Sequence, residues 1–87
     1  MKINKVARAG TMESSDIFIM VQPGDNQGLD IRLSSVVIDQ YGNHIRNVIM
    51  ETLKSMNIED IELTANDRGA LDYTIRSRVE TAVKRAL

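Results

Sequence analysis

Among the hydroxyls of this chain, those of Ser14 and Ser15 have surroundings that single them out. They lie side by side in "AGTMESSD", residues 9 to 16, between Glu13 and Asp16 and just ahead of the apolar run "IFIMV". A serine that attacks a substrate needs a base to take its proton, and it is normally held in a recognisable elbow such as G-x-S-x-G. No such elbow occurs, and the single histidine, His44, is far along the chain. No residue is therefore assigned a catalytic role. Two readings of "ESSD" stay open. One is turn chemistry, in which Ser and Asp side chains bond local backbone N–H groups. The other is an acceptor serine that receives a covalent group, which needs an exposed hydroxyl on a projecting turn and no base of its own.

The remaining candidates carry less. His44 stands alone, and with no cysteine in the chain there is no thiolate nucleophile, disulfide or thiol metal site. No metal site is expected. Asp39 and His44 do not share a helical face, so His44 reads as solvated surface. Met12, Met20, Met50 and Met56 read as adaptable core fillers. Charge is uneven: Glu51, Glu59, Asp60, Glu62 and Asp67 crowd one stretch, and Arg68, Arg76, Arg78, Lys84 and Arg85 the next. Solvated faces and a favourable helix C-terminus account for this. A docking patch for a partner or for phosphates is the sharper account, and whether Arg68, Arg76 or Arg78 touches a phosphate is left open. No Gly-rich phosphate loop, zinc motif or calcium loop occurs.

Composition narrows the class. Eighty-seven residues suit one domain, 1–87. With one Phe, two Tyr and no Trp, the core must be aliphatic. A net charge of −1 argues against a general nucleic-acid partner, whose binding rests on a basic surface. The longest wholly apolar run, Ile17 to Val21, falls far short of the ~20 residues a membrane span needs. "MKINKVARAG" lacks the apolar centre of a secretory signal, so a cytoplasmic protein with no membrane partner is expected.

The elements that must hold these residues follow from hydrophobic period. Residues 4 to 12 form the weakest strand candidate and 16 to 22, "DIFIMVQ", the strongest. The latter is apolar on both faces, which predicts an interior strand covered on both sides. "PGDNQG" is dense in turn formers, and "LDIRLS" (29 to 34) alternates cleanly, so these two strands are expected to pair as a hairpin. Ser34 or Ser35 would cap the helix that follows. Ile38, Tyr41, Ile45, Val48, Ile49, Leu53 and Met56 make its stripe, and Gly42 marks a possible break. "IEDIELTA" (58 to 65) is a further strand. Leu71, Ile75, Val79, Val83 and Leu87, with Ala82 and Ala86 beside them, mark a second amphipathic helix. The order β-β-β-α-β-α predicts an α+β fold: a small mixed sheet with both helices on one face, the strands either side of the first helix pairing in parallel through a right-handed crossover.

"KINKVARAGTMESSDIFIMV", followed downstream by "RGALDYTIRSRVE", resembles the acyl carrier protein of citrate lyase, its gamma subunit. The likeness spans essentially the whole chain. Its most specific piece, "AGTMESSD", is close to the pattern A-G-T-[LM]-E-S-x-D, and "RGALD" (68 to 72) is a second anchor.

The resemblance implies that Ser14, with Ser15 the less favoured candidate, carries 2′-(5″-phosphoribosyl)-3′-dephospho-CoA through a phosphodiester bond. The thiol of that arm would hold an acetyl group as a thioester. An alpha subunit would exchange acetyl for citrate, and a beta subunit would cleave the citryl thioester to oxaloacetate and restore the acetyl form. The chain itself would be a non-catalytic carrier, served by a prosthetic-group transferase and an acetylating ligase. Two alternatives stand beside this: the carrier subunit of malonate decarboxylase, against which "GTMESSD" speaks, and an unmodified protein-interaction domain.

Overall fold

A computed structural model describes residues 2–87, Met1 lying outside the described residues. The elements are β1 (Ala7–Ala9), β2 (Ile17–Gln22), β3 (Leu29–Ser35), α1 (Ile38–Ser55), β4 (Ile61–Asp67) and α2 (Asp72–Ala86). The four strands form one mixed sheet in the order β1-β2-β4-β3. β1 and β4 both run antiparallel to β2, with Ala9 opposite Ile19 and Ile17 opposite Asp67. β3 and β4 are parallel, with Leu33 beside Ala65, and α1 makes the crossover between them.

Alternation builds the core. Ile17, Ile19 and Val21 of β2 and Ile61, Leu63 and Ala65 of β4 point to one face and are essentially inaccessible to solvent. Ile45, Val48, Ile49 and Leu53 of α1 and Ile75, Val79, Ala82 and Val83 of α2 cover that face. Each fully buried Ile, Leu or Val contributes about 1.5–3 kcal/mol. The α+β architecture, the mixed sheet and the single helix layer are as the sequence predicts.

Local expectations fail in several places, among them Met12, read as a core filler, and Ile38 and Tyr41, read as part of the α1 stripe, which are exposed. β2 and β3 do not make a hairpin: β4 lies between them. "PGDNQG" reverses the chain, but a turn sets direction and not partner. Here β4 offers fully buried residues to both neighbours, and β3, whose Leu29, Ile31 and Leu33 are only half-buried, takes the edge. β2 is interior yet covered on one side only. Phe18 and Met20 lie on the open face, half-shielded in the cross-strand rows where Phe18 stands opposite Asn66, and Met20 opposite Arg8 and Thr64. β1 shrinks to three residues, because Asn4 and Lys5 give their N–H groups to the Ala86 carbonyl (2.9 and 3.2 Å) at the end of α2.

α1 is not capped by a serine. Its N-cap is Val37, without a side-chain bond, and the Ser35 hydroxyl instead accepts the Val37 N–H at 3.1 Å, one step ahead of the helix. Nor does Gly42 break α1, which runs unbroken from Ile38 to Ser55. The glycine leaves room for Ile38, whose Cδ1 lies 2.8 Å from where a Cβ would stand.

One end of the molecule gathers the features that matter. There the β1–β2 connection (10–16) meets the start of β2, the ends of β3 and β4, and the first turns of both helices.

Candidate functional site

The β1–β2 connection is built by residues of the "AGTMESSD" stretch, each with a definite job. Gly10 has φ +88, and a Cβ there would lie 1.8 Å from the Ile17 carbonyl oxygen. Only glycine lets the two ends of the loop cross this closely. The Thr11 hydroxyl donates to Asp16 Oδ2 at 2.7 Å and accepts the Glu13 N–H at 3.2 Å. The Asp16 N–H donates to the Glu13 carbonyl at 3.2 Å, which closes a four-residue turn. Ser15 is third in that turn with φ +68, as a type II turn requires. The turn is stitched to the end of β4 by the Ser15 N–H to the Arg68 carbonyl and the Arg68 N–H to the Asp16 carbonyl, both 2.8 Å.

Asp16 is the knot at the loop's root. Its Oδ1 accepts the Ile17 N–H (2.7 Å) and Arg78 Nε (3.1 Å), and its Oδ2 accepts the Thr11 hydroxyl and Arg78 Nη2 (3.1 Å). The fork from Arg78 ties the loop to α2 in the bidentate geometry that suits guanidinium and carboxylate. Burial alone would raise the Asp16 pKa. The hydrogen bonds from Arg78, Thr11 and the Ile17 N–H, with the Arg78 charge, outweigh burial and hold it at about 2. The carboxylate is therefore ionised throughout the neutral range.

On this platform both serines face solvent, and among the described residues neither hydroxyl has a hydrogen-bond partner. They differ in their backbones. Ser15 is pinned by its N–H to Arg68 and by its left-handed φ, and Ser14 sits ahead of it near the tip. The turn chemistry of the stretch thus belongs to Thr11 and Asp16, and both serine hydroxyls are left free among the described residues.

The arginines part company. Arg78 is engaged by Asp16. Arg68 adjoins the turn through its backbone and is exposed, as is Arg76 on α2. Three further features escape sequence reasoning. Asp67, fully buried at the end of β4, accepts the Ser35 hydroxyl (2.7 Å) and the N–H groups of Gly69 (3.1 Å) and Ala70 (2.9 Å). The dipeptide spacing Asp67–Gly69 is the signal that could have revealed this Asx-type turn. His44, on the surface as expected, pairs with Asp72 at 2.8 Å and so joins the two helices. The Asp16–Arg78 pair spans 62 positions, and nothing local announces it.

A family model described as "ACP: Malonate decarboxylase delta subunit (MdcD)" matches residues 4–86. The chain is 51% identical to a citrate lyase acyl carrier protein of Lactiplantibacillus plantarum, over the whole of this chain and 90% of that one. It is 48% identical to one of Halothermothrix orenii, over 99% of this chain and 90% of that one. The chain belongs to the citrate lyase acyl carrier protein family. A further relative under that name, from Streptococcus mutans, is 49% identical over 99% of this chain and 84% of its own. The fold is also found in a chain of a crystal structure of a Pseudomonas malonate decarboxylase hetero-tetramer in complex with malonate. The TM-score is 0.82 at 16% identity, over all of this chain and 93% of that one. In this chain "AGTMESSD" is a braced turn in which Gly10, Thr11 and Asp16 shape the loop, and neither the Ser14 hydroxyl nor its N–H is bonded within it.

No helix of the described residues is long and apolar enough to cross a membrane.

Proposed function

We propose that this chain is the acyl carrier subunit of citrate lyase and that Ser14 holds 2′-(5″-phosphoribosyl)-3′-dephospho-CoA through a phosphodiester. The observation that carries the proposal is the free, exposed Ser14 hydroxyl on a turn whose other residues brace it, in a chain 48–51% identical to citrate lyase acyl carrier proteins. The site suits a bulky substituent. Ser14 has open solvent before it, and the residues that hold the turn are spent on one another. When attached, the arm supplies a thiol on which acetyl and citryl groups travel as thioesters between a transferase and a lyase subunit. The chain's own task is mechanical. Arg78 and Asp16 fix the root of the loop, Gly10 allows the close crossing, and the core below them stays rigid while Ser14 projects. A tether fixed in this way raises the effective concentration of its load at two separate active sites. A prosthetic-group transferase, an acetylating ligase and the alpha and beta subunits are the partners this role requires, in the cytoplasm.

The carrier of malonate decarboxylase is a second reading, favoured by the description of the matching family model and by the likeness of fold. The subunits that co-purify with the chain separate the two.

The test is intact mass followed by peptide mapping of protein made together with its modifying enzymes. A serine-linked increment that is lost in Ser14→Ala and kept in Ser15→Ala is expected. Ser14→Ala should leave stability within about 0.5 kcal/mol, as for other exposed positions. A full increment on Ser14→Ala would overturn the assignment.

A further inference from the structure

A cleft of about 370 Å³ opens between the first turns of α1 and α2, at the same end as the loop that carries Ser14. Its size falls within the range of small-molecule sites. Val37, Tyr41, Ala70 and Leu71 give it apolar walls, and the His44–Asp72 pair supplies hydrogen-bonding groups in them.

The cleft is next to the turn. The Arg68 carbonyl receives the Ser15 N–H, and Gly69, the next residue, lines the cleft. Two residue steps and one hydrogen-bonded crossing therefore separate Ser14 from its rim, roughly 13 Å at most.

The residues chosen for its walls run against local helix chemistry. The N-cap of α1 is Val37 and that of α2 is Leu71, and neither makes a side-chain cap bond. Both are poor caps where Ser, Thr, Asp or Asn would bond a free N–H. Nor does burial compensate at Leu71, which is 63% exposed, or at Tyr41, which is 54% exposed. Two apolar caps thus converge on one cleft while leaving helix ends uncapped and apolar surface wet.

We infer that this cleft seats the adenine ring of the arm borne by Ser14, an inference that rests on the carrier reading above. Along the proposed arm, the purine is the first flat apolar group after the serine phosphodiester and the two linked riboses. The ring of Tyr41 offers it an aromatic face. With the purine seated, the root of the arm is held and only its thiol-bearing tail sweeps. That shortens the mobile tether and directs it from this end of the molecule.

The experiment compares isotope-labelled carrier with and without its arm, after intact mass has established the loading. Expected are nuclear Overhauser contacts from the purine protons to the methyls of Val37 and Leu71. Amide shifts at Gly69 to Asp72 and Val37 to Tyr41 should also change, while Leu87, at the far end of α2, does not. Leu71→Ser should remove those contacts from the loaded protein and, by supplying a cap, raise the Tm of the unloaded protein by roughly 2–8 °C. A fully loaded carrier whose changes stay within residues 12–16 and Arg68 overturns the cleft assignment alone. So does a cleft perturbed only when a partner subunit is added, or a Leu71→Ser chain that melts earlier than the parent. A chain that never gains the mass overturns the carrier reading and this inference together.

Discussion

Asp16→Asn tests the charge-assisted anchorage of the loop, because the amide keeps the shape of the carboxylate but loses its charge and one of its two accepting oxygens. In the parent the charged form is favoured by the interval between 3.8 and about 2. At about 1.36 kcal/mol per pH unit, that interval caps its contribution near 2.5 kcal/mol. The Asp16 side chain is only 13% exposed, but that of Arg78 is 40% exposed, so solvent screens part of the attraction. A contribution of about 1–2 kcal/mol is the working figure. Its sign follows from a pKa lowered by folding. The stabilisation is complete above the unfolded-state value near 3.8 and is lost as pH falls towards 2, where the folded protein also takes up the proton.

The assay is urea unfolding of parent and Asp16→Asn side by side from pH 7 to pH 2. Other carboxylates titrate in both proteins and largely cancel in the difference. The gap should be level from pH 7 to about 4, narrow below that, and close near pH 2. Arg78→Gln in the Asp16→Asn background should then cost almost nothing more, since the two act as one pair. A gap that persists unchanged at pH 2, or that is absent at pH 7, would show that charge does not hold the loop. A large extra loss in the double variant would show that Arg78 stabilises α2 by some other route.

Three further outcomes follow from the same geometry. Gly10→Ala combines a left-handed φ of +88 with a contact of 1.8 Å to backbone. It should cost about 2–4 kcal/mol, read as a fall in Tm of 10 °C or more, on the order of what such losses produce in a domain this small. Ser15→Gly should unfold at the same temperature as the parent or slightly above it, and Ser15→Val should lose about 1–2 kcal/mol in urea, because only the β-branched residue resists φ +68. Asp67→Ala strands the Ser35 hydroxyl and the N–H groups of Gly69 and Ala70. About 3 kcal/mol should be lost, with faster hydrogen exchange at Gly69 and Ala70.

What the chain discloses in advance follows the range of the physics involved. Alternation in "LDIRLS" and "IEDIELTA" and the four-residue recurrence from Ile75 to Val83 are local patterns of burial, and they name the strands and α2 correctly. Parallel pairing of β3 with β4 is legible too, because a helix between two strands leaves the chain few ways to return. The partner of β2 is not legible. "PGDNQG" would serve a hairpin equally well, and the choice of β4 is made by the whole sheet. Phe18 and Met20 mislead for a related reason: an apolar residue on an open face is shielded by its row neighbours, which sequence spacing does not display. Within the loop, the serines and the turn can be read directly. The knot at Asp16 cannot, since Arg78 arrives from another element.

The division of labour inside "AGTMESSD" also bears on how the two serines should be told apart. A residue whose backbone closes a turn is constrained in how it can move, and Ser15 is held by its φ and by its bond to Arg68. An attachment point must let a modifying enzyme draw the hydroxyl into its own active site, which favours a position whose side chain can rotate and whose backbone N–H is not committed. Among the described residues the Ser14 N–H makes no backbone hydrogen bond, and its hydroxyl makes none either. An uncommitted backbone N–H and hydroxyl thus favour Ser14 over Ser15 as the proposed attachment point. Were Ser15 modified instead, the enzyme would have to work against a hydrogen bond and a strained φ that Ser14 does not impose.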